Sequence, residues 1–271
     1  MVMTTTITDL VEGSVAWREA GARGGRASVF LHGLGGRRTN WDAQLVALGD
    51  VRRCCALDLP GYGDSAGLPG SLPGIADGVA EWIARLGNGP VDVVGLSFGG
   101  MVAQHLTLDH PDLVRTLTLL DTSPAFGLDG VTTPETWLAS RIDAIRDPDP
   151  RAPGIEAVVA GLVGREASPE VRSTMVESMR AVPPATLEAA CRALVDHDTR
   201  ERLSRIAAPV LVMVGEEDTE TPPSYAEEIA ARITGAELVV VPGAGHLLNL
   251  ENPDAVNDRL RRHWLESGVT S

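Results

Sequence analysis

Residues 91–104 read VDVVGLSFGGMVAQ, an apolar β-branched run, then Ser97 between Gly95 and Gly99, then a helix-like pattern. Either the serine closes an ordinary strand-to-helix turn, or it stands at the apex of a strained one that presents its hydroxyl for reaction. The rest of the chain decides between the two.

Outward from this stretch, apolar β-rich runs recur at Ser28–Leu31, Arg53–Leu57, Thr116–Leu120, Val210–Val214 and Glu237–Val241. Several are nearly continuous, as expected of strands buried on both faces of a parallel sheet. Helical patterns lie between them, at Trp41–Leu48, Leu72–Leu86, Gly99–His110, Tyr225–Ile233 and Pro253–Leu265. Strand and helix in alternation predict a doubly wound α/β sheet with helices on both faces.

The alternation breaks after Asp121. Four helical patterns follow with no strand, at Pro134–Ile145, Ile155–Val163, Pro169–Ala181 and Ala185–Val195, separated by proline-rich joints at 147–153 and 182–184. The expected organisation is a core of residues 1–121 and 205–271, with 122–204 inserted as a helical cap over the sheet edge where ligands bind.

Composition narrows the chemistry. The chain has 271 residues and a formal charge of −14, which speaks against nucleic acid or an anionic membrane surface as partner. All 23 basic residues are arginine, so lysine Schiff bases, lysine-anchored pyridoxal phosphate and a P-loop are excluded. Three cysteines make neither a disulfide framework nor a four-ligand zinc site, and Cys54 and Cys55 read as core. No segment approaches the ~18 apolar residues of a membrane span, and no basic leader is evident. The expectation is a cytoplasmic monomer or small homo-oligomer acting on a small molecule.

Four loops fall at the carboxyl ends of strands: 31–36 (LHGLGG), 95–100 (GLSFGG), 215–223 (GEEDTETPP) and 242–253 (PGAGHLLNLENP). An open α/β sheet gathers such loops into one crevice. The Gly-x-Ser-x-Gly pattern of the second is common by itself, but a strand before it and an amphipathic helix after it are what a nucleophile elbow requires. A serine hydroxyl needs a base. Of six histidines, His105 and His110 fall on the helix after the elbow, His197 in the insertion and His263 in the last helix. His32 braces a glycine-rich loop. His246, in a flexible loop after a strand, is the expected base.

The imidazole in turn needs a carboxylate. Asp218 ends the preceding strand and completes the chain order Ser, Asp, His. Asp121, one strand earlier, is the rival, and Glu216 and Glu217 are neighbours with longer side chains. The backbone N–H groups of Phe98 and Leu34 are the expected oxyanion donors.

These motifs, with HG at 32–33, DLPGYGDS at 58–65 and GAGH at 243–246, resemble the α/β-hydrolase superfamily over nearly the whole chain. The resemblance implies a mostly parallel, eight-stranded sheet. A nearer resemblance, carried by GLSFGGMVAQ, LLDTSP, TPETWLASRIDAIRD and ALVDHDTRERLSRIAAPVLVMVGEED, is to the 3-oxoadipate enol-lactonase group. It implies hydrolysis of a small lactone with a carboxylate tail, without metal or cofactor. The pocket would be walled by His32, Gly33, Trp137 and Arg141, with Arg141 as carboxylate partner. Epoxide hydrolases and dehalogenases of this fold place Asp where Ser97 stands. Carbon–carbon bond hydrolases, lyases, hydrolases of secondary metabolism and non-enzymatic receptors share the scaffold and remain alternatives.

Overall fold

The computed structural model describes residues 5–146 and 154–267. One sheet contains β1 (Thr8–Glu12), β2 (Val15–Ala20), β3 (Ala27–Leu31), β4 (Arg53–Leu57), β5 (Val91–Leu96), β6 (Val114–Leu120), β7 (Val210–Gly215) and β8 (Glu237–Val241). Their order is β1-β2-β4-β3-β5-β6-β7-β8. β2 is antiparallel to β1 and to β4. Every other pairing is parallel.

All six strands expected from the sequence are present, and the N-terminal hairpin is an addition. β1 (TDLVE) is largely exposed on both faces, and β2 carries Arg18 and Glu19 within its run, so neither shows apolar periodicity. The hairpin loop is Gly13-Ser14, with φ of 61° at Gly13, as a glycine-first two-residue hairpin loop requires. Glu19 is buried there because Arg53 reaches it at 2.8 Å.

The sheet is covered on both sides because its strands are apolar on both. Val93, Leu117 and Val212 join one core with the helices α2 (Leu72–Leu86), α3 (Phe98–Asp109) and α8 (Pro223–Arg232). Val94, Leu120 and Met213, one residue out of phase, join the other core with α1 (Asp42–Leu48) and α10 (Pro253–Glu266). Period-two alternation along each strand sends successive side chains to opposite cores. Caps fix the helix starts: Ser71 accepts the Gly74 N–H before α2, and Asn252 accepts the Ala255 N–H before α10.

Between β6 and β7 the described residues form no strand and carry the helices α4 (Pro134–Arg146), α5 (Ile155–Leu162), α6 (Pro169–Ala181) and α7 (Pro184–Leu194). Their bounds agree with the sequence reading to within a residue. The proline-rich joint at 147–153 lies outside the described residues. The chain leaves the sheet and returns to it at one place. There Ala125 bridges Asp198, and Gln104 of α3 donates to Ser123 O and accepts from Thr199 Oγ1. Among the described residues no helix is long and apolar enough to cross a membrane.

Candidate active site

Ser97 sits between β5 and α3 with φ 51° and ψ −117°, one of two non-glycine residues at positive φ among those described. A side chain in that region is strained, and the turn survives because its surroundings leave no alternative. A Cβ on Gly99 would come within 2.2 Å of Leu31 O, and one on Gly95 within 2.4 Å of Gly99 O. Only glycine permits β3, β5 and α3 to approach this closely. The Ser97 N–H is held by Leu120 O at 2.9 Å, and its carbonyl accepts the Thr122 hydroxyl at 2.7 Å.

The turn aims Ser97 Oγ at His246 Nε2, 2.9 Å away across 149 residues of sequence. On the other side of the ring, Nδ1 lies 2.9 Å from Asp218 Oδ2. A carboxylate there fixes the tautomer: Nδ1–H donates to Asp218, and Nε2 is left to accept the Ser97 hydroxyl proton. Asp218 is itself held, accepting the Glu220 and Thr221 N–H groups at Oδ1 and the Thr221 hydroxyl at Oδ2. Sequence reasoning did not find Thr221; an aspartate followed three residues later by threonine was the available signal.

Electrostatics follow from burial and pairing. Burial alone would lower the His246 pKa, but the charge and hydrogen bond of Asp218, with Asp121 and Glu220 nearby, raise it to about 9. For Asp218, burial pulls upward and is outweighed by His246 and the Thr221 donors, so its carboxyl is held below the ordinary value.

Asp121 is placed differently. It is fully buried with φ 43°, and its carboxyl accepts the N–H groups of Gly215 at 2.9 Å and Leu248 at 3.0 Å. Burial and the neighbouring Asp218 charge push its pKa up to about 8. It ties the Asp218 loop to the His246 loop, and the imidazole nitrogen belongs to Asp218.

The other sequence-derived residues fall around this line. Gly33 lies against the Ser97 turn, where a Cβ would sit 3.2 Å from Ser97 Cβ. The N–H groups of Leu34 and Phe98 have no acceptor among the described residues. His32 is 1% exposed, donates from Nδ1 to Gly33 O and accepts the Leu59 N–H at Nε2. With both nitrogens used it is a brace beneath the loop, which corrects its expected place in the pocket wall. Over the same loop lies α6, where a Cβ on Gly35 would meet Met179 at 2.7 Å. On α4, the Arg141 guanidinium stacks on Trp137 at 5.5 Å and pairs with Glu220 at 3.6 Å. Glu217, beside Asp218, binds Arg165 instead. Of the remaining histidines, His105 and His197 contact each other at 3.4 Å, His110 pairs with Asp77 and His263 is buried in α10.

This fold and this serine turn define an alpha/beta hydrolase: residues 29–259 match the model of the alpha/beta hydrolase family, and the chain belongs to it. It is similar to a pimeloyl-[acyl-carrier protein] methyl ester esterase of Neisseria meningitidis serogroup B (strain H44/76). The two are 30% identical over 245 residues, 89% of this chain and 93% of that one. A thermophilic esterase from Thermogutta terrifontis, solved with malate bound, matches with TM-score 0.83 at 28% identity, over 93% of each chain. An enol-lactonase from Burkholderia xenovorans LB400 shares the fold with TM-score 0.84 at 24% identity, over 93% of this chain and 96% of its own.

Proposed function

We propose that the protein is a cofactor-independent serine hydrolase of small esters or lactones, working through an acyl-enzyme. The observation that carries this reading is the unbroken line Asp218–His246–Ser97, with 2.9 Å at each joint and the serine on a strained turn. Ser97 Oγ attacks the acyl carbon while His246 Nε2 takes its proton, and Asp218 stabilises the imidazolium that forms. The oxyanion is received by the Leu34 and Phe98 N–H groups, a contribution worth about 10²–10³ in rate per donor. His246 then protonates the leaving oxygen and next activates a water to free the acid. With a lactone the leaving oxygen stays tethered to the acyl group through the carbon chain, so water cleaves the acyl–Ser97 bond and frees a single ring-opened acid.

Arg141 supports a substrate that carries a carboxylate. It pairs with Glu220, whose charge acts on His246, and its guanidinium carbon lies over the Trp137 ring. A substrate carboxylate would replace Glu220 as its partner. The methyl ester esterase and the enol-lactonase among the similar proteins are named for cleavage of the same kind of bond, an acyl carbon to oxygen.

The test is turnover of methyl esters, lactones with and without a carboxylate tail, and an aryl dienoate, by wild type and by Ser97→Ala. Ester or lactone cleavage that disappears in Ser97→Ala is expected. A dienoate turned over faster than every ester and lactone would make the protein a carbon–carbon bond hydrolase instead.

A further inference from the structure

The loop that carries His246 has no regular structure to hold it between β8 and α9 (Leu248–Glu251). A flexible loop is a poor mount for a base that must stay within hydrogen-bond reach of a serine, because a misplacement of 1 Å is enough to cost about 10²-fold in rate. Something must fix it. Asp218 fixes the ring, and the backbone on either side of the ring converges on one further side chain.

That side chain is Glu251. Its Oε2 accepts the Gly245 N–H at 3.0 Å, and its Oε1 accepts the Leu247 N–H at 3.0 Å. These are the N–H groups of the residues on either side of His246. The same Oε2 also accepts the N–H of Gly164 at 2.7 Å, from the loop that follows α5 in the inserted helices. The remaining N–H of the set, that of His246 itself, donates to Leu162 O at 2.7 Å. Three consecutive peptides of the base loop are therefore bound, two by one carboxylate and one by the inserted segment.

The packing leaves no slack at this junction. A Cβ on Gly245 would come within 2.4 Å of Gly164 N, and one on Gly164 within 2.6 Å of Gly243 O. Two backbones lie in direct contact, with the glutamate stitching them.

We propose that Glu251 is the positioning residue for His246, locking the base loop against the segment Leu162–Gly164 so that Nε2 is held on Ser97. This rests on the reading of Ser97 and His246 as nucleophile and base. Glu251 touches no reacting atom. Its effect is on the placement of the imidazole, so its loss lowers the rate of every step that uses the base and leaves substrate binding alone.

Glu251→Gln is the first variant. An amide places a donor where one of the three N–H groups expects an acceptor, so at least one of those bonds is lost. The readouts are kcat and KM on an ester, the rate of Ser97 modification by a fluorophosphonate, and a thermal melt. The expected result is a folded protein in which kcat and the modification rate fall together by about 10²-fold, with KM little changed. A glutamate that served stability alone would lower the melting temperature and leave kcat of the folded protein intact. Gly164→Ala is the second variant, pushing the inserted segment off the base loop by a clash with backbone. It is expected to slow Ser97 modification too, and to combine with Glu251→Gln less than multiplicatively, since both open the same junction.

Folded Glu251→Gln with wild-type kcat and wild-type modification rate overturns the proposal. If that variant does not fold, the modification rate of Gly164→Ala decides in the same way. A wild-type protein that is not modified at Ser97 would fell the functional reading along with this one. A modified wild type with equally fast variants fells only the role of Glu251.

Discussion

Asp218 Oδ2 stands 2.9 Å from His246 Nδ1, whereas Asp121 spends its carboxyl on two backbone N–H groups, of Gly215 and Leu248. Two aspartates at the ends of adjacent strands thus hold different offices. One holds the imidazole of His246, and the other braces the two loops that carry Asp218 and His246.

Their substitutions should separate accordingly. Asp218→Asn is expected to cut turnover by about 10⁴-fold, the cost of a wrong imidazole tautomer, in a protein that still folds. Asp121→Ala leaves two buried donors unsatisfied, at about 1–3 kcal/mol each, and is expected to show first as a lower melting temperature. Steady-state rates and melts on both variants check this. Near-normal turnover in Asp218→Asn would reverse the assignment.

The pH dependence follows from the raised His246 pKa. The base must be neutral to accept the serine proton, so the acid limb of kcat/KM is expected above the ordinary 6.5 and toward 9, with activity rising through that window. The linked stability runs the other way. The folded pKa exceeds the unfolded one, so the contribution of the His246–Asp218 pair is complete below 6.5 and is lost as pH rises to about 9. Rates and melts across this range measure both, and Asp218→Asn should move the acid limb down. A limb at or below 6.5 would contradict the pairing.

Gly99→Ala tests whether the Ser97 turn depends on close backbone approach. The added methyl would lie 2.2 Å from Leu31 O and 2.6 Å from His32 O, neither of which is a flexible side-chain end. We expect a loss of about 1–3 kcal/mol or more, with activity falling alongside. Gly78→Ala, on the exposed face of α2 with nothing within 4 Å, should gain up to about 1 kcal/mol. Equal melting temperatures for the two variants would remove the argument.

Arg141→Gln addresses substrate class. If Arg141 binds a substrate carboxylate, kcat/KM for carboxylate-bearing lactones should fall about 10-fold, and that for neutral esters should hold. A uniform change across both would place Arg141 outside recognition.

Much of this was legible in the sequence because it is local. Continuous apolar runs mark strands buried on both faces, so β3 to β7 could be read directly; the edge strand β8 is only part-buried but keeps an apolar β-branched run, and the glycines beside Ser97 mark the close approach of strand and helix. The hairpin β1–β2 was not legible. Its strands carry exposed and charge-paired residues, and Glu19 is inside only because Arg53, from a strand distant in sequence, meets it. Asp121 has the same explanation. It looked like a candidate for chemistry by residue type and strand-end position, and it is spent on backbone groups that only the folded sheet brings near. Glu251 went unnoticed because its partners, Gly164 and Gly245, lie 87 and 6 residues away and offer peptide groups rather than side chains.

The central claim is that Ser97 is the nucleophile, activated by His246. Intact-mass analysis after exposure to a fluorophosphonate tests it most directly. The account requires one adduct per chain, mapped to the peptide containing Ser97, absent in Ser97→Ala and strongly slowed in His246→Ala. No adduct on the active wild-type enzyme, or an adduct that persists at another serine in Ser97→Ala, would contradict it.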